Sequence, residues 1–202
     1  MQSSPDNRDS YHHGDLKQAL LTKALEVLEI SGLEKLSLRD LAQSLGVSKT
    51  APYRHFKDKE QLLVEVAAEG FGYLADSLEK ATSTPSLDSL EALNTLQPVL
   101  EAYIVFSQNH PELYKIMFSK IGYGLHSERC KVNANRAMGC LVSSTLAAQA
   151  LGWKKDSPSL PLTLSLWSLA HGWAGMFTEN LIPPEIPFER DNWWESVVTL
   201  IR

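Results

Sequence analysis

Apolar residues recur three and four positions apart along nearly the whole chain, and no run alternates long enough to predict a strand. Leu16, Leu20, Ala24 and Leu28, widened by Leu21 and Leu25, predict a helix over about 16–30, with Asp15 as its cap and Ser31-Gly32 as its end. Leu38, Leu41, Ala42 and Leu45 predict a short second helix. Ser37 can cap it and Gly46 can end it in a left-handed conformation. Val47 is then the plug of a tight turn. Ser48 caps a third helix, Lys49–His55, with Pro52 in the first turn, where a missing N–H removes one hydrogen bond at most. Asp58 starts a long helix to about Lys80, whose Leu62, Leu63, Val66, Ala67, Phe71 and Leu74 face inward. Gly70 and Gly72 are either a flexible joint in that helix or points of close packing.

After the linker 81–86, ATSTPS, the same periodicity resumes. Leu87, Leu90, Leu93, Leu96 and Leu100 predict a helix kinked at Pro98 and continuing to His110. Pro111 starts a short helix, and Ile121-Gly122-Tyr123-Gly124 reads as a loop. Further helices are predicted over about 127–151, 160–179 and 189–201, the last two joined by the rigid Pro183-Pro184-Glu185-Ile186-Pro187. The pattern predicts an all-α protein of about nine helices. Residues 11–60 form a three-helix helix–turn–helix head, 61–80 a connecting helix, and 86–202 a helical body.

Charge sharpens the reading of the head. The chain carries a net charge of -5, which argues against a general nucleic-acid coat. Yet residues 48–59 hold four Lys/Arg against the single acid Asp58. A helix, a glycine turn and a second helix form the layout that places the second helix in a DNA major groove. Lys49 and Thr50 are the candidates for base edges. Tyr53, His55 and Lys59 are the candidates for phosphates, with Ser37, Ser48, Ala51 and Arg54 beside them. The competing reading is a helical hairpin packed for structure alone. From Gly32 to Leu63 the run GLEKLSLRDLAQSLGVSKTAPYRHFKDKEQLL resembles the DNA-binding domain of the TetR family of bacterial repressors, through its LA, GVS, YRHF and DKE elements. The resemblance implies a dimer on a palindromic double-stranded operator, with a body that binds a small-molecule effector. The Tyr11-His12-His13-Gly14-Asp15 start is also familiar in such proteins, as an arm near the DNA backbone.

The segments AYIVFSQNHPELYKIMF and LWSLAHGWAGM resemble a TetR body type named for a Trp…His-Gly pattern, here Trp167, His171 and Gly172. Candidate effector contacts are Tyr103, Phe106, Met117, Phe118, Met138, Trp167 and His171, which suit an apolar or aromatic molecule; the alternative is plain core. Trp173, Met176, Phe177, Trp193, Trp194 and Val197 on the last two helices are candidates for a homodimer interface. Residues 157–178 carry no Asp, Glu, Lys or Arg, but prolines, hydroxyls and His171 point to a buried helix rather than a membrane span. Cys130 and Cys140 have neither metal spacing nor a disulfide pattern, which with the polar N-terminus fits reduced thiols in the cytoplasm. No cofactor or metal is expected. An all-α enzyme using His110 or His171 as general base is the alternative function. It lacks a nucleophile motif, a phosphate loop or a metal set.

Overall fold

Asp58 accepts the Gln61 N–H at 2.8 Å, while the Gln61 side chain accepts the Lys57 N–H at 2.5 Å. This reciprocal cap satisfies two donors that a helix start leaves unpaired. It launches a helix of 24 residues, Lys59–Thr82, on which the molecule is built. The computed structural model describes residues 13–82, 92–123, 127–185 and 192–202. Among them the fold is all-α, with no strand. In chain order the helices are α1 (His13–Ser31), α2 (Leu38–Ser44), α3 (Lys59–Thr82), α4 (Gln97–Asn109), α5 (Pro111–Met117), α6 (Lys120–Tyr123), α7 (Glu128–Ala150), α8 (Ser159–Thr178) and α9 (Trp193–Ile201).

The head closes around Leu20, Leu21, Leu28, Leu36, Leu41 and Phe56, all buried, and α3 completes it with Leu62, Leu63 and Val66. Each such side chain contributes about 1.5–3 kcal/mol by leaving water. Farther along α3, Phe71, Leu74 and Leu78 join Val99, Leu100 and Leu141 of the body, so one apolar cluster runs through both halves. α7 lies along α3, and α4 packs on α3 and α8. Ionic and polar links tie α3 to α7. Arg129 reaches Glu69 at 2.6 Å, Arg136 reaches Glu79 at 2.7 Å and Asp76 at 2.8 Å, and the Asn133 amide donates to the Ala68 carbonyl at 2.8 Å. Glu69 meets its guanidinium off the N–H direction, which makes the contact an ion pair rather than an aligned hydrogen bond.

Gly46, at φ 67°, ends α2 as predicted: its N–H bonds to the Gln43 carbonyl at 3.1 Å, and the Val47 N–H bonds to Ala42 at 3.0 Å. α7 and α8 end with the same pair of bonds, at Gly152 and Asn180. Other local expectations are corrected. α1 already includes His13, so Asp15 lies inside its first turn rather than at its cap. Val47 is only half-buried, and the full plug of the turn is Phe56. Residues 49–55 do not form an α-helix; Ala51–Arg54 form a tighter single turn. Its bonds span three residues: Ala51 N–H to Ser48 at 2.9 Å, Tyr53 to Thr50 at 3.2 Å, His55 to Pro52 at 2.9 Å. Pro52 has no N–H to offer the Ser48 carbonyl, so the four-residue spacing cannot start there.

Pro98 does not kink a longer helix but sits in the first turn of α4, where proline is compatible with the geometry. Ile121-Gly122-Tyr123 belong to the short α6 rather than a loop. The readings that rested on Tyr11, His12, Leu87, Leu90, Gly124, Ile186, Pro187 and Glu189 lie outside the described residues. No helix among the described residues is long and apolar enough to cross a membrane.

Gly70 resolves the two uses proposed for the α3 glycines. A Cβ there would lie 2.6 Å from Met117 Sδ and 3.0 Å from Leu113 Cδ1, and α3 passes the position unbroken. The glycine lets α5 approach the α3 backbone. A flexible joint would be stabilised by Gly70→Ala, since alanine gains about 1 kcal/mol in a helix. Close packing predicts the reverse: denaturant unfolding of the variant shows a net loss of about 1 kcal/mol, because overpacking costs about 1–3 kcal/mol.

Candidate nucleic-acid interface and ligand cavity

The turn Ala51–Arg54 is held from below. Pro52 and Phe56 are buried, and this leaves Ser48, Lys49, Thr50, Tyr53, Arg54 and Lys57 exposed on one side. Tyr53 is 52% exposed, a large ring kept in water for no packing gain. The Ser48 and Thr50 hydroxyls pair at 3.2 Å, and Ser37 caps α2 by accepting the Asp40 N–H at 3.1 Å. Ala51 and His55 are half-buried beneath this face. His55 Nε2 is buried with no hydrogen-bond partner among the described residues. Lys59 is turned inward: its ammonium donates to the Leu33 carbonyl at 2.8 Å, which ties the α1–α2 connection to the start of α3. Arg39, which the sequence reading passed over, shares a shallow depression with Ser37, Tyr53 and Lys57. Its signal was its place two residues after the Ser37 cap, on the exposed side of α2.

The body contains a cavity of 310 Å³ between α3, α4, α7 and α8. Phe71, Leu74, Leu78, Val99, Leu100, Ala134, Ala137, Leu141 and Ala170 supply an apolar lining, together with Tyr103, Phe118, Met138 and Trp167 from the sequence-predicted set. Asn135 is the one amide among the lining residues. Three predicted residues fall elsewhere. Phe106 packs against His110 with tilted rings and centroids 5.1 Å apart, and Met117 is fully buried against Gly70. His171 sits behind the cavity wall, with its ring 4.6 Å from Phe118 and 5.8 Å from Trp167. Spacing along α8 placed His171 near Trp167, but only the packed fold shows that Tyr103 stands between His171 and the cavity.

Four groups form a polar chain there. Trp167 Nε1–H donates to the Tyr103 hydroxyl at 3.4 Å, the Tyr103 and Tyr114 hydroxyls are 3.3 Å apart, and the Tyr114 hydroxyl shares a hydrogen bond with His171 Nδ1 at 2.7 Å. Tyr103 also lies 2.9 Å from the same nitrogen. Burial pushes the Tyr103 phenol up to about 12 and the Tyr114 phenol higher, so both keep their protons and act as donors. Burial lowers His171 below its ordinary value, which keeps the ring neutral. Among the described residues nothing carboxylate is hydrogen-bonded to His171, and His110 Nδ1 faces Glu29 of α1 at 3.3 Å in a half-exposed contact.

The predicted dimer residues divide. Phe177, Trp193 and Val197 are buried within the single chain, so their area is not available to a partner. The physical reason is that α9 lays one face on the body, where Trp153 Nε1–H also donates to the Ile201 carbonyl at 2.9 Å. Trp173, Met176 and Trp194 are half-buried. The apolar residues left outside on these helices are Leu160, Leu164 and Leu200, exposed by 63%, 43% and 72%.

A histidine whose folded value is depressed binds its proton more readily in the unfolded chain. The stability it contributes is therefore present above the ordinary value of 6.5 and is lost as pH falls below it. Thermal unfolding followed from pH 7.5 down to about 5 should show a falling Tm, with a shallower fall in His171→Asn. An identical slope in the two proteins would remove His171 from the linkage.

Comparison with known proteins follows the same division of the chain. Residues 20–66 match the model of the bacterial regulatory proteins of the tetR family, and residues 96–201 match the tetracyclin repressor-like C-terminal domain. The uncharacterised HTH-type transcriptional regulator YobS of Bacillus subtilis (strain 168) is 22% identical over 172 residues, 85% of this chain and 84% of that protein. A protein of unknown function from Rhodococcus sp. RHA1 superposes with a TM-score of 0.77 at 27% identity, covering 96% of this chain and 97% of the other. AibR, solved in complex with isovaleryl coenzyme A and operator DNA, shares the fold with a TM-score of 0.60 at 15% identity, over 92% of this chain and 97% of its own. The C-terminal match alone spans more than half of the 202 residues, so the chain belongs to the TetR family of DNA-binding transcriptional regulators.

Proposed function

We propose that the protein is a ligand-responsive repressor whose homodimer holds two heads on a palindromic operator and lets go when an uncharacterised effector fills the body cavity. The observation that carries this reading is the continuity of α3: its first turns pack the head through Leu62, Leu63 and Val66, and its later turns line the cavity through Phe71, Leu74 and Leu78. A ligand that shifts α3 moves the head with it. AibR, on the same fold, is bound to both a small molecule and operator DNA, which supports a pairing of the two functions. The division into a head at 11–60, a connecting helix at 61–80 and a body at 86–202 follows this mechanical order, and the cytoplasm is the compartment in which such a regulator meets its DNA. The body is of the Trp…His-Gly type, with Trp167 and His171 on the polar chain beside the cavity and Gly172 next to them.

On the DNA, Lys49 and Thr50 read base edges. Tyr53, Arg54 and His55 hold phosphates together with Ser37 and Ser48, Arg39 adds a further cation on the same side, and Ala51 and Lys59 support the face from within, Lys59 through its bond to the Leu33 carbonyl. Two heads set one DNA turn apart, about 34 Å, grip successive major grooves. Dimerisation uses the outer faces of α8 and α9, with Trp173, Met176 and Trp194 at the edge of a surface that includes Leu160, Leu164 and Leu200.

Fluorescence anisotropy against the DNA upstream of the protein's own gene, with a scrambled duplex as control, tests the reading. Tight binding to the first and weak binding to the second is expected. Thr50→Ala or Lys49→Ala should cost about 1–3 kcal/mol and narrow the gap between the two duplexes. Tyr53→Ala should weaken both duplexes alike, and Arg54→Ala should also lower the log–log salt slope by about 1 per head. Equal affinity for every duplex from a genome-fragment selection would overturn the operator-reading role.

A further inference from the structure

The cavity lining contains no Lys, Arg, His, Asp or Glu. A ligand such as the isovaleryl coenzyme A of AibR carries phosphates, and nothing in this lining would neutralise them. An ionised carboxylate entering the same space would lose its water with no cation to meet it, a large cost. The lining is not wholly apolar, however. Tyr103 and Trp167 both reach the wall, and their mutual hydrogen bond, at 3.4 Å, is the longest in the polar chain. The next link, Tyr103 to Tyr114 at 3.3 Å, is nearly as long, whereas the far end is short, with Tyr114 on His171 Nδ1 at 2.7 Å. Two phenol hydroxyls compete for the one imidazole Nδ1, and Tyr114 has the shorter hold on it. The Trp167 N–H, on a lining residue, is spent on a stretched bond that a better acceptor displaces at little cost, and the Tyr103 O–H can turn from its 2.9 Å contact with His171 Nδ1 because Tyr114 holds that nitrogen at 2.7 Å.

We infer that the cavity selects an uncharged, mainly apolar molecule bearing one hydrogen-bond-accepting oxygen, and that the Tyr103 hydroxyl and the Trp167 indole N–H grip that oxygen. The inference rests on the cavity being the effector site and adds the chemical class of its occupant. Tyr114 and His171 position Tyr103 from behind, and neither touches the ligand. The volume of 310 Å³ stands at the lower end of the about 300–1,000 Å³ of small-molecule sites, which suits a one- or two-ring compound. No bond is made or broken; the protein only redirects two existing protons.

Three probes with one ring system separate the terms: naphthalene has no oxygen, 2-acetylnaphthalene a neutral carbonyl, and 2-naphthoate a charged carboxylate. Calorimetric titration into the full-length protein, without DNA, should rank the ketone at least about tenfold tighter than either of the others, the scale of one or two neutral hydrogen bonds. Tyr103→Phe and Trp167→Phe, each verified as folded by its thermal transition, should erase most of the ketone's advantage over naphthalene while leaving naphthalene nearly unchanged. A carboxylate that binds as well as the ketone, an advantage that survives both variants, or no binding by any probe overturns the inference. Anisotropy on DNA with each probe is read separately. If the ketone binds with the expected ranking but leaves DNA affinity unaltered, the ligand class stands and the effector reading falls.

Discussion

Burial of α3 on two sides is the constraint from which the rest follows. A helix that is apolar on one stripe needs one partner, whereas this one is covered by α1 near its start and by α4, α5 and α7 farther on. Gly70 removes the side chain that would hold α5 away, and the Arg129, Asn133 and Arg136 contacts fix α7 along the opposite flank. Glu65 extends that flank into the head. It faces Lys17 of α1 at 3.4 Å and Arg129 of α7 at 3.8 Å, so one carboxylate on α3 meets cations from both halves. Half-exposed pairs of this kind contribute little stability, typically under 1 kcal/mol, and their interest is geometric: they set how the head is oriented on the body.

The cavity is the complement of that packing. It lies between α3, α4, α7 and α8, and its Tyr103–Trp167 corner is backed by a histidine held neutral and by the Tyr114 phenol, with both phenols held protonated. A corner of fixed donors in an apolar space is a selective device, since an unfitting ligand leaves those donors unpaired and a fitting one leaves them satisfied. The head uses the opposite principle. Its donors face water, and the buried Pro52 and Phe56 exist to hold Lys49, Thr50, Tyr53 and Arg54 in place.

Periodicity made the helices legible because each buries one stripe, and the Gly46 stop was legible because few residues accept a positive φ. The tight turn at Ala51–Arg54 was misjudged as an α-helix for a local reason: the missing Pro52 N–H counts for more in a segment of a few residues than in a long helix. Tyr103, Phe118, Met138 and Trp167 were found as cavity residues by type and position, yet the same reasoning swept in Met117, which packs under a glycine. Nor could spacing on separate helices show that Tyr103, Tyr114 and His171 meet, because 57 and 68 residues separate the phenols from the imidazole. Among the dimer candidates, Phe177, Trp193 and Val197 are covered by their own chain, because a tryptophan's size alone does not say which side of its helix faces out, and the most exposed apolar area on these helices lies in leucines.

Linkage offers the most direct test of the central claim that cavity and head are one mechanical system. If 2-acetylnaphthalene weakens DNA binding by some factor, the DNA must weaken ketone binding by the same factor. Calorimetric titration of the ketone into the free protein and into the protein saturated with its selected duplex measures that factor from the ligand side. The account predicts an affinity lower on DNA by about 5–150-fold, the usual range of such coupling. Equal ketone affinity in the two states, with both sites occupied, would contradict it.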